Sequence, residues 1–144
     1  MGAGNALLGL GSVDAAVIEL ERAVASAPSF ASAHAGLGRA LAARPGEGAR
    51  AERALSEALA LDPRHLDARA ALGALHYRAG RWDAAAQTLR EGTRYPPLEA
   101  SLWFDLAQAE RRAGRAPEAR PALDRVLGID PGDEAARAAR AALP

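Results

Sequence analysis

The 144-residue chain contains no cysteine and no lysine, and only 4% of its residues are aromatic. The lack of cysteine excludes disulfide frameworks, thiol chemistry and cysteine-based zinc sites. The scarcity of aromatic and β-branched residues, set against 39 alanines, favours helices over sheets. All eighteen basic residues are arginine, a bias that is typical of a GC-rich bacterial genome.

The chain also has no excess of charge of either sign, because eighteen arginines balance eighteen Asp and Glu residues. A nucleic-acid or anionic-membrane partner would favour a clear basic excess, so we expect neither. The longest uncharged stretch, residues 23–38, contains Pro28 and is too short to span a bilayer. Residues 1–13 carry four glycines and no basic residue, which argues against a signal peptide. We therefore expect a cytoplasmic protein, with the periplasm as the alternative if the chain is a fragment of an exported protein.

Several residue types recur along the chain with one common period of 34 or 35 residues. The recurring positions are Pro28, Pro63, Pro97 and Pro131; Ala16, Ala51, Ala85 and Ala119; Leu20, Leu55, Leu89 and Leu123; and Gly4, Gly38 and Gly73. The one additional residue falls between Gly38 and Ala51, where residues 45–48 indicate a lengthened turn. A period of this length, shared by several residue types, is typical of stacked helical repeats.

Each period contains two helix patterns, and the predicted helices cover nearly the whole chain. They span 2–10, 13–26, 30–43, 48–61, 65–79, 82–94, 98–113, 117–128 and 132–143. Small residues recur at the expected contacts between paired helices, with glycine in the first helix and alanine in the second. These residues let two backbones approach closely, since a larger side chain there would cost roughly 1–3 kcal/mol.

The repeated motifs resemble the tetratricopeptide repeat family. Its first-helix signature is matched by His34, Leu37, Gly38 and Leu41, by Arg69, Leu72, Gly73 and His76, and by Trp103, Leu106, Ala107 and Glu110. Its second-helix signature is matched by the recurring Ala, Leu and Pro positions given above. Arg69 departs from the usual aromatic residue and Glu110 from an apolar one, so we expect looser helix contacts at both positions.

The resemblance covers essentially the whole chain and implies its fold and domain organisation. The expected fold is all-α: a right-handed α-solenoid of about four helix-turn-helix repeats plus a C-terminal capping helix. A single domain, 1–144, would contain repeats at about 1–28, 29–63, 64–97 and 98–131, with the capping helix at 132–143.

The sequence contains no recognisable catalytic constellation. The three histidines, His34, His65 and His76, have no partner at metal-ligand spacing, so we expect them to be structural. Residues 45–48 contain two glycines but no lysine and lack the spacing of a phosphate-binding loop. No serine has a convincing His and Asp partnership. The chain is therefore not expected to be an enzyme or to hold a metal or cofactor.

The two tryptophans and Phe104 receive different interpretations. Trp103 stands at a first-helix packing position and Trp82 opens a second helix, so both are expected in the core. Phe104 falls on the first-helix face that, by the resemblance, lines the inner groove of such repeat arrays.

The first-helix positions on that inner face predict a mildly basic, partly aromatic peptide groove. The candidate groove residues are Arg39, Tyr77, Arg78, Phe104, Gln108, Arg111 and Arg112, and Asn5 and Leu8 occupy this face in the first repeat. Arginine pairs with carboxylates, and aromatic rings supply rigid contact area. The plainer alternative is that these arginines are simply solvated. The carboxylate clamp of chaperone-binding relatives is not expected, because Asp67 stands where a lysine is needed.

We therefore expect a non-catalytic scaffold or adaptor that binds a protein or peptide, of acidic and hydrophobic character, in this groove. The alternative is an accessory domain or fragment of a larger enzyme or assembly factor. A helical-repeat protein that reads RNA is disfavoured by the zero net charge. Arg53 and Arg90, on second helices, are expected to be solvated and outside the groove. The oligomeric state is left open by the sequence.

Overall fold

The protein is described by a computed structural model that covers the backbone of residues 2–96 and 98–144 and the side chains of residues 11–96 and 98–144. The described residues form eight helices and no strand. The helices are α1 (Gly2–Ser26), α2 (Ala31–Ala42), α3 (Gly48–Leu61), α4 (Leu66–Arg78), α5 (Trp82–Gly92), α6 (Ala100–Arg112), α7 (Ala116–Ile129) and α8 (Glu134–Ala141). The predicted all-α helical-repeat fold is thereby confirmed.

Seven of the eight helices begin and end within two residues of the predicted bounds. The exception is α1, which is one continuous helix where the sequence predicts two, over 2–10 and 13–26. Gly11 and Ser12 lie between the two predicted helices and are themselves helical. A glycine inside a helix costs only about 1 kcal/mol relative to alanine. A penalty of this size weakens a helix without ending it.

The chain divides into two compact units, Met1–Leu72 and Gly73–Pro144. The first contains α1 to α3 and the beginning of α4, and the second contains the end of α4 together with α5 to α8. The finer division into four repeats within one domain stays a prediction.

The core of the first unit is built where α2 packs against α3. Leu55 is completely buried, and a Cβ atom added to Gly38 would lie 2.5 Å from its Cγ. The same Cβ would lie 3.1 Å from the backbone nitrogen of Leu55. Gly38 is therefore required by close helix contact, as the sequence predicts.

The second unit repeats this contact one period later. A Cβ atom on Gly73 would lie 2.7 Å from both Cγ and Cδ2 of Leu89, and Ala85 is fully buried beside them on α5. Farther along the chain, Ala119, Leu123 and Val126 of α7 are also fully buried. The predicted role of the small residues is thus confirmed in both units.

Two polar residues at the same position of successive repeats make the same hydrogen bond. His34 Nε2 donates to the carbonyl oxygen of Pro28 at 2.8 Å, and Arg69 Nη2 donates to that of Pro63 at 2.9 Å. Both side chains are buried. The expectation of a looser contact at Arg69 is wrong, because the arginine satisfies a turn carbonyl that an aromatic residue would leave to solvent.

The residue that precedes the helix caps its N-terminus at both α4 and α8. Nδ1 of His65 accepts a hydrogen bond from the backbone N–H of Ala68 at 3.2 Å, and Oδ1 of Asp133 accepts one from Ala136 at 2.8 Å. Since Nδ1 is an acceptor, Nε2 of His65 carries the proton and donates to Oγ of Ser32 at 3.3 Å. His65 therefore serves as a helix cap.

Candidate functional site

The candidate site is formed by the ends of α4 and α6 within the second unit. Residues spaced by three, four or seven positions share a helix face, which places Gln108, Arg111 and Arg112 toward the same side of α6. Tyr77 lies in the last turn of α4 and meets them there, since Arg112 Nε donates to its hydroxyl oxygen at 3.2 Å. The sequence predicts these residues, and the structure places them side by side.

An apolar hollow of about 200 Å³ opens between these helices. Its lining consists of Gly73, Ala74, Tyr77, Arg78, Leu89, Asp105 and Gln108. Leu89 fills the position that a side chain on Gly73 would take, and Ala74 adds only a methyl group to this face of α4. The volume is comparable to that of one large apolar side chain, so this hollow can accept such a group.

A second hollow, the arginine hollow, is lined by Tyr77, Gln108, Arg111 and Arg112 and encloses about 320 Å³. It adjoins the apolar hollow, because Tyr77 and Gln108 line both. None of the described residues in its lining is acidic. Two guanidinium groups therefore face one small space beside an apolar one.

Both arginines of this hollow are held by neighbouring groups. Arg111 Nη1 donates to Oε1 of Gln108 at 3.1 Å. The guanidinium carbon of Arg112 lies 5.9 Å from the ring centroid of Trp82, within the range of a cation–π interaction. Each contact occupies only part of the five N–H donors of an arginine, so further donors remain for a ligand.

The aromatic residues depart from expectation. Trp82 is 36% exposed, so its prediction as a core residue is wrong. Its ring instead supports Arg112 at the surface. Trp103 is half-buried, with the guanidinium carbon of Arg125 at 5.7 Å from its ring centroid. Phe104 is half-buried on α6 and does not contribute to the lining of either hollow.

The structure brings together five of the seven candidate residues: Tyr77, Arg78, Gln108, Arg111 and Arg112. Phe104 lies one turn before Gln108 on α6. Arg39 is exposed on α2, in the first unit. The side chains of Asn5 and Leu8 lie outside the described residues.

Asp105 is a component of the apolar hollow that the sequence reasoning missed. Within the described part of the chain, its carboxylate has no hydrogen bond or ion pair. Asp105 is partly exposed, and desolvation of the part that faces the apolar lining raises the pKa of its carboxyl above its usual range. The spacing of Asp105, Gln108 and Arg112 at i, i+3 and i+7 was the available signal, since it places all three on one helix face.

A buried carboxylate fixes α6 in place. Glu110 has a side chain only 2% exposed and is bound by Arg90 of α5 and by Arg115, whose Nε lies 2.6 Å from its Oε2. Gly114, at φ +80°, turns the chain after α6, so that Arg115 also reaches the Glu110 carbonyl oxygen through its backbone N–H. The expected loose contact at Glu110 is therefore wrong.

The same cluster changes the interpretation of Arg90. Arg90 was expected to be a solvated arginine, but it is the ion-pair partner of a buried carboxylate. Arg115 also binds Asp83, and hydrogen bonds to Asp83 and Glu110 raise the pKa of its guanidinium further above its usual value. The network holds the face of α6 that carries Arg111 and Arg112 in one orientation relative to α5.

The described part of the chain offers neither a metal site nor a membrane span. Among those residues, no group of three or more His, Asp or Glu side chains is arranged to hold a metal ion. A helix of the length and apolar character needed to cross a bilayer was likewise not found there.

Comparison with known proteins identifies the repeat. The family model of the tetratricopeptide repeat matches residues 1–46, 42–96 and 71–134. No curated protein shows significant sequence similarity to the chain.

Several solved structures are similar to this one in fold. One is MamA, with 20% identity and a TM-score of 0.81 over 97% of this chain and 81% of that one. Another is TTC0263, a thermophilic tetratricopeptide repeat protein of Thermus thermophilus, with 22% identity and a TM-score of 0.72 over 93% and 74%. A third is YrrB, described as having an unusual peptide-binding site, with 19% identity and a TM-score of 0.75 over 84% and 62%. At these identities the likeness concerns the fold.

Proposed function

Because the chain belongs to the tetratricopeptide repeat family, we propose that it is a non-catalytic protein-interaction scaffold whose second unit binds a peptide segment of a partner protein. The binding surface of this proposal comprises the apolar hollow and the adjoining arginine hollow between α4 and α6. Arg39 and Phe104 remain secondary candidates for contact with the same kind of partner.

The observation that carries the proposal is the direct adjacency of these two hollows. An apolar side chain of the partner fills the apolar hollow beside Gly73, Ala74 and Leu89. An acidic residue nearby in the same segment pairs with Arg111 and Arg112, because a guanidinium offers a planar fork that matches a carboxylate. Tyr77 lies between the two hollows and offers a rigid ring with a polar tip, as is common at interfaces.

The proposed partner is thus an acidic and hydrophobic segment, in agreement with the sequence interpretation. The arginines are exposed, so each ion pair contributes about 0.2–1 kcal/mol and is screened by salt. We expect weak affinity that decreases further as the ionic strength rises. The likeness of YrrB, which is described as binding a peptide, is in keeping with this proposal.

The test uses peptides selected from a random, unphosphorylated library on the immobilised full chain. The affinity of the best binders is measured by fluorescence anisotropy at low and high salt. The double variant Arg78→Glu and Arg111→Glu reverses two charges of the site without touching the contact between Arg112 and Trp82. The matched control, Arg53→Glu with Arg137→Glu, reverses two exposed arginines on α3 and α8.

We expect selected peptides to combine Asp or Glu with an apolar residue. Their binding is lost in the Arg78 and Arg111 variant and kept in the control, while circular dichroism stays unchanged in both. Loss of binding in the control alone contradicts the assignment of the surface. A library that yields no binder contradicts the peptide-binding proposal itself.

A further inference from the structure

Every residue that lines the arginine hollow carries hydrogen-bond donors. Arg112 Nε donates to the Tyr77 hydroxyl oxygen, so the phenolic O–H is free to donate elsewhere. Arg111 Nη1 donates to Oε1 of Gln108, which leaves the NH2 group of this amide as the donor on its other side. The acceptor atoms of Tyr77 and Gln108 are therefore already engaged by the two arginines.

The charge of the hollow matches this donor arrangement. Its two guanidinium groups contribute two positive charges, and its described lining includes no carboxylate. The nearest acidic residue on the same helix face is Asp105, which lines the apolar hollow and not the arginine hollow. Asp105 and Arg112 are seven positions apart on α6, or about 10 Å along the helix axis.

A carboxylate satisfies such a site only in part. It carries one negative charge and two oxygens, whereas the hollow offers two positive charges and donors from four residues. A phosphate monoester carries a charge of about −1.5 to −2 at pH 7 and three strong acceptor oxygens. Arginine pairs are well suited to such a group, because each guanidinium can donate two parallel hydrogen bonds.

We propose that the arginine hollow, with its donors from Tyr77, Gln108, Arg111 and Arg112, binds a phosphorylated side chain of the partner protein, next to an apolar group in the adjoining hollow. The inference rests on the proposed function, since it names the chemistry of the partner at the same surface. Phosphorylation of the partner then strengthens an interaction that acidic residues support only weakly.

The test uses three small probes with the full chain in a phosphate-free buffer. Phenyl phosphate carries a ring and a dianion, phenylacetate carries a ring and a carboxylate, and inorganic phosphate carries the dianion alone. Binding is followed by NMR shifts of the Gln108 side-chain amide, the Nε–H groups of Arg111 and Arg112, and the Trp82 indole. The variants are Arg111→Gln and Tyr77→Phe, and the matched control is Arg53→Gln with Arg137→Gln.

We expect phenyl phosphate to bind about five- to tenfold more tightly than phenylacetate, and more tightly than inorganic phosphate, because it uses both hollows. Arg111→Gln weakens phenyl phosphate binding severalfold, Tyr77→Phe weakens it less, and the control leaves it unchanged. Equal affinity for phenyl phosphate and phenylacetate overturns the inference. Equal affinity for phenyl phosphate and inorganic phosphate indicates an adventitious ion only and also overturns it.

The outcomes separate this inference from the broader proposal. If unphosphorylated peptides bind through Arg78 and Arg111 while phenyl phosphate shows no preference, the scaffold proposal stands and the phosphate assignment is wrong. If phenyl phosphate binds as expected while the peptide library yields no binder, the phosphate site stands and the unphosphorylated peptide is the wrong partner.

Discussion

Nε of Arg115 lies 2.6 Å from Oε2 of Glu110, a carboxylate that is almost completely removed from solvent. Arg90 binds the other oxygen of the same carboxylate from α5. A buried charge is tolerated only when it is paired and hydrogen-bonded, so both arginines are needed where Glu110 lies. The cluster explains how an acidic residue can occupy a position that is apolar in the family pattern.

The first prediction concerns Arg90. The variant Arg90→Glu places a second carboxylate beside Glu110 and removes one of its two partners. We expect a loss of about 1–3 kcal/mol in the free energy of unfolding, the range for leaving a buried hydrogen-bond acceptor without its partner. The measurement is urea denaturation followed by circular dichroism.

Arg53→Glu is the control for Arg90→Glu. Arg53 is exposed on α3, where a charge reversal changes stability by less than about 0.5 kcal/mol. Similar losses in the two variants are incompatible with the buried ion-pair cluster.

The second prediction concerns the contact between Gly38 and Leu55. In Gly38→Ala the new Cβ lies 2.5 Å from Cγ of a leucine that is completely buried and cannot move aside. We expect a loss of roughly 1–3 kcal/mol from overpacking, despite the better helix propensity of alanine. The matched control is Gly128→Ala in α7, where nothing lies within 4 Å of the added atom. Thermal denaturation is expected to show a lower melting temperature for the first and an equal or higher one for the second.

The third prediction concerns the cap of α4. His65→Ala removes the acceptor of the Ala68 N–H, and we expect a cost of about 1 kcal/mol. His65→Asp is expected to retain the cap, because Asp133 stands two periods later and caps α8 in the same way. The measurement is the free energy of unfolding of both variants, determined by chemical denaturation. If His65→Asp is as unstable as His65→Ala, the hydrogen bond to Ala68 is not what His65 contributes.

The fourth prediction is a pH dependence at Asp105. Partial desolvation raises the pKa of this partly exposed carboxyl in the folded protein, so the folded state holds its proton more tightly than the unfolded state. The contribution of this proton to the free energy of unfolding is fully present below about pH 4, the usual pKa of an aspartate in the unfolded chain. It is lost as the pH rises through the pKa of Asp105 in the folded protein. At pH 7 the ionised carboxylate therefore destabilises the fold.

We accordingly expect Asp105→Asn to have a higher free energy of unfolding than the natural protein at pH 7. The difference is expected to disappear at pH 3, where the natural carboxyl is protonated and as neutral as the amide. Glu57→Gln, at an exposed carboxylate of α3, serves as the control. A difference for Asp105→Asn that stays constant between pH 3 and pH 7 argues against desolvation of the carboxylate.

Much of the fold and part of the candidate site could be predicted from the sequence. The period of 34 or 35 residues predicts seven helices within two residues of their observed bounds, because helix periodicity and turn residues act locally. Five of the seven candidate groove residues line the two hollows, since residues three, four or seven positions apart share a helix face. Local rules were insufficient for α1, because Gly11 and Ser12, between the two predicted helices, are themselves helical.

By itself, the sequence determined the register of the repeat, the helices and the need for small residues such as Gly38 and Gly73, because each of these follows from spacing along one chain. Only the tertiary structure decided that Trp82 lies at the surface under Arg112, that Arg90 reaches a buried Glu110, and that Asp105 belongs to the apolar hollow. The physical reason is that burial and charge pairing depend on which side chains of a neighbouring helix occupy the facing positions. The facing side chains belong to segments about 20 to 35 residues apart in the sequence, so the pattern within one segment does not show which of them meet.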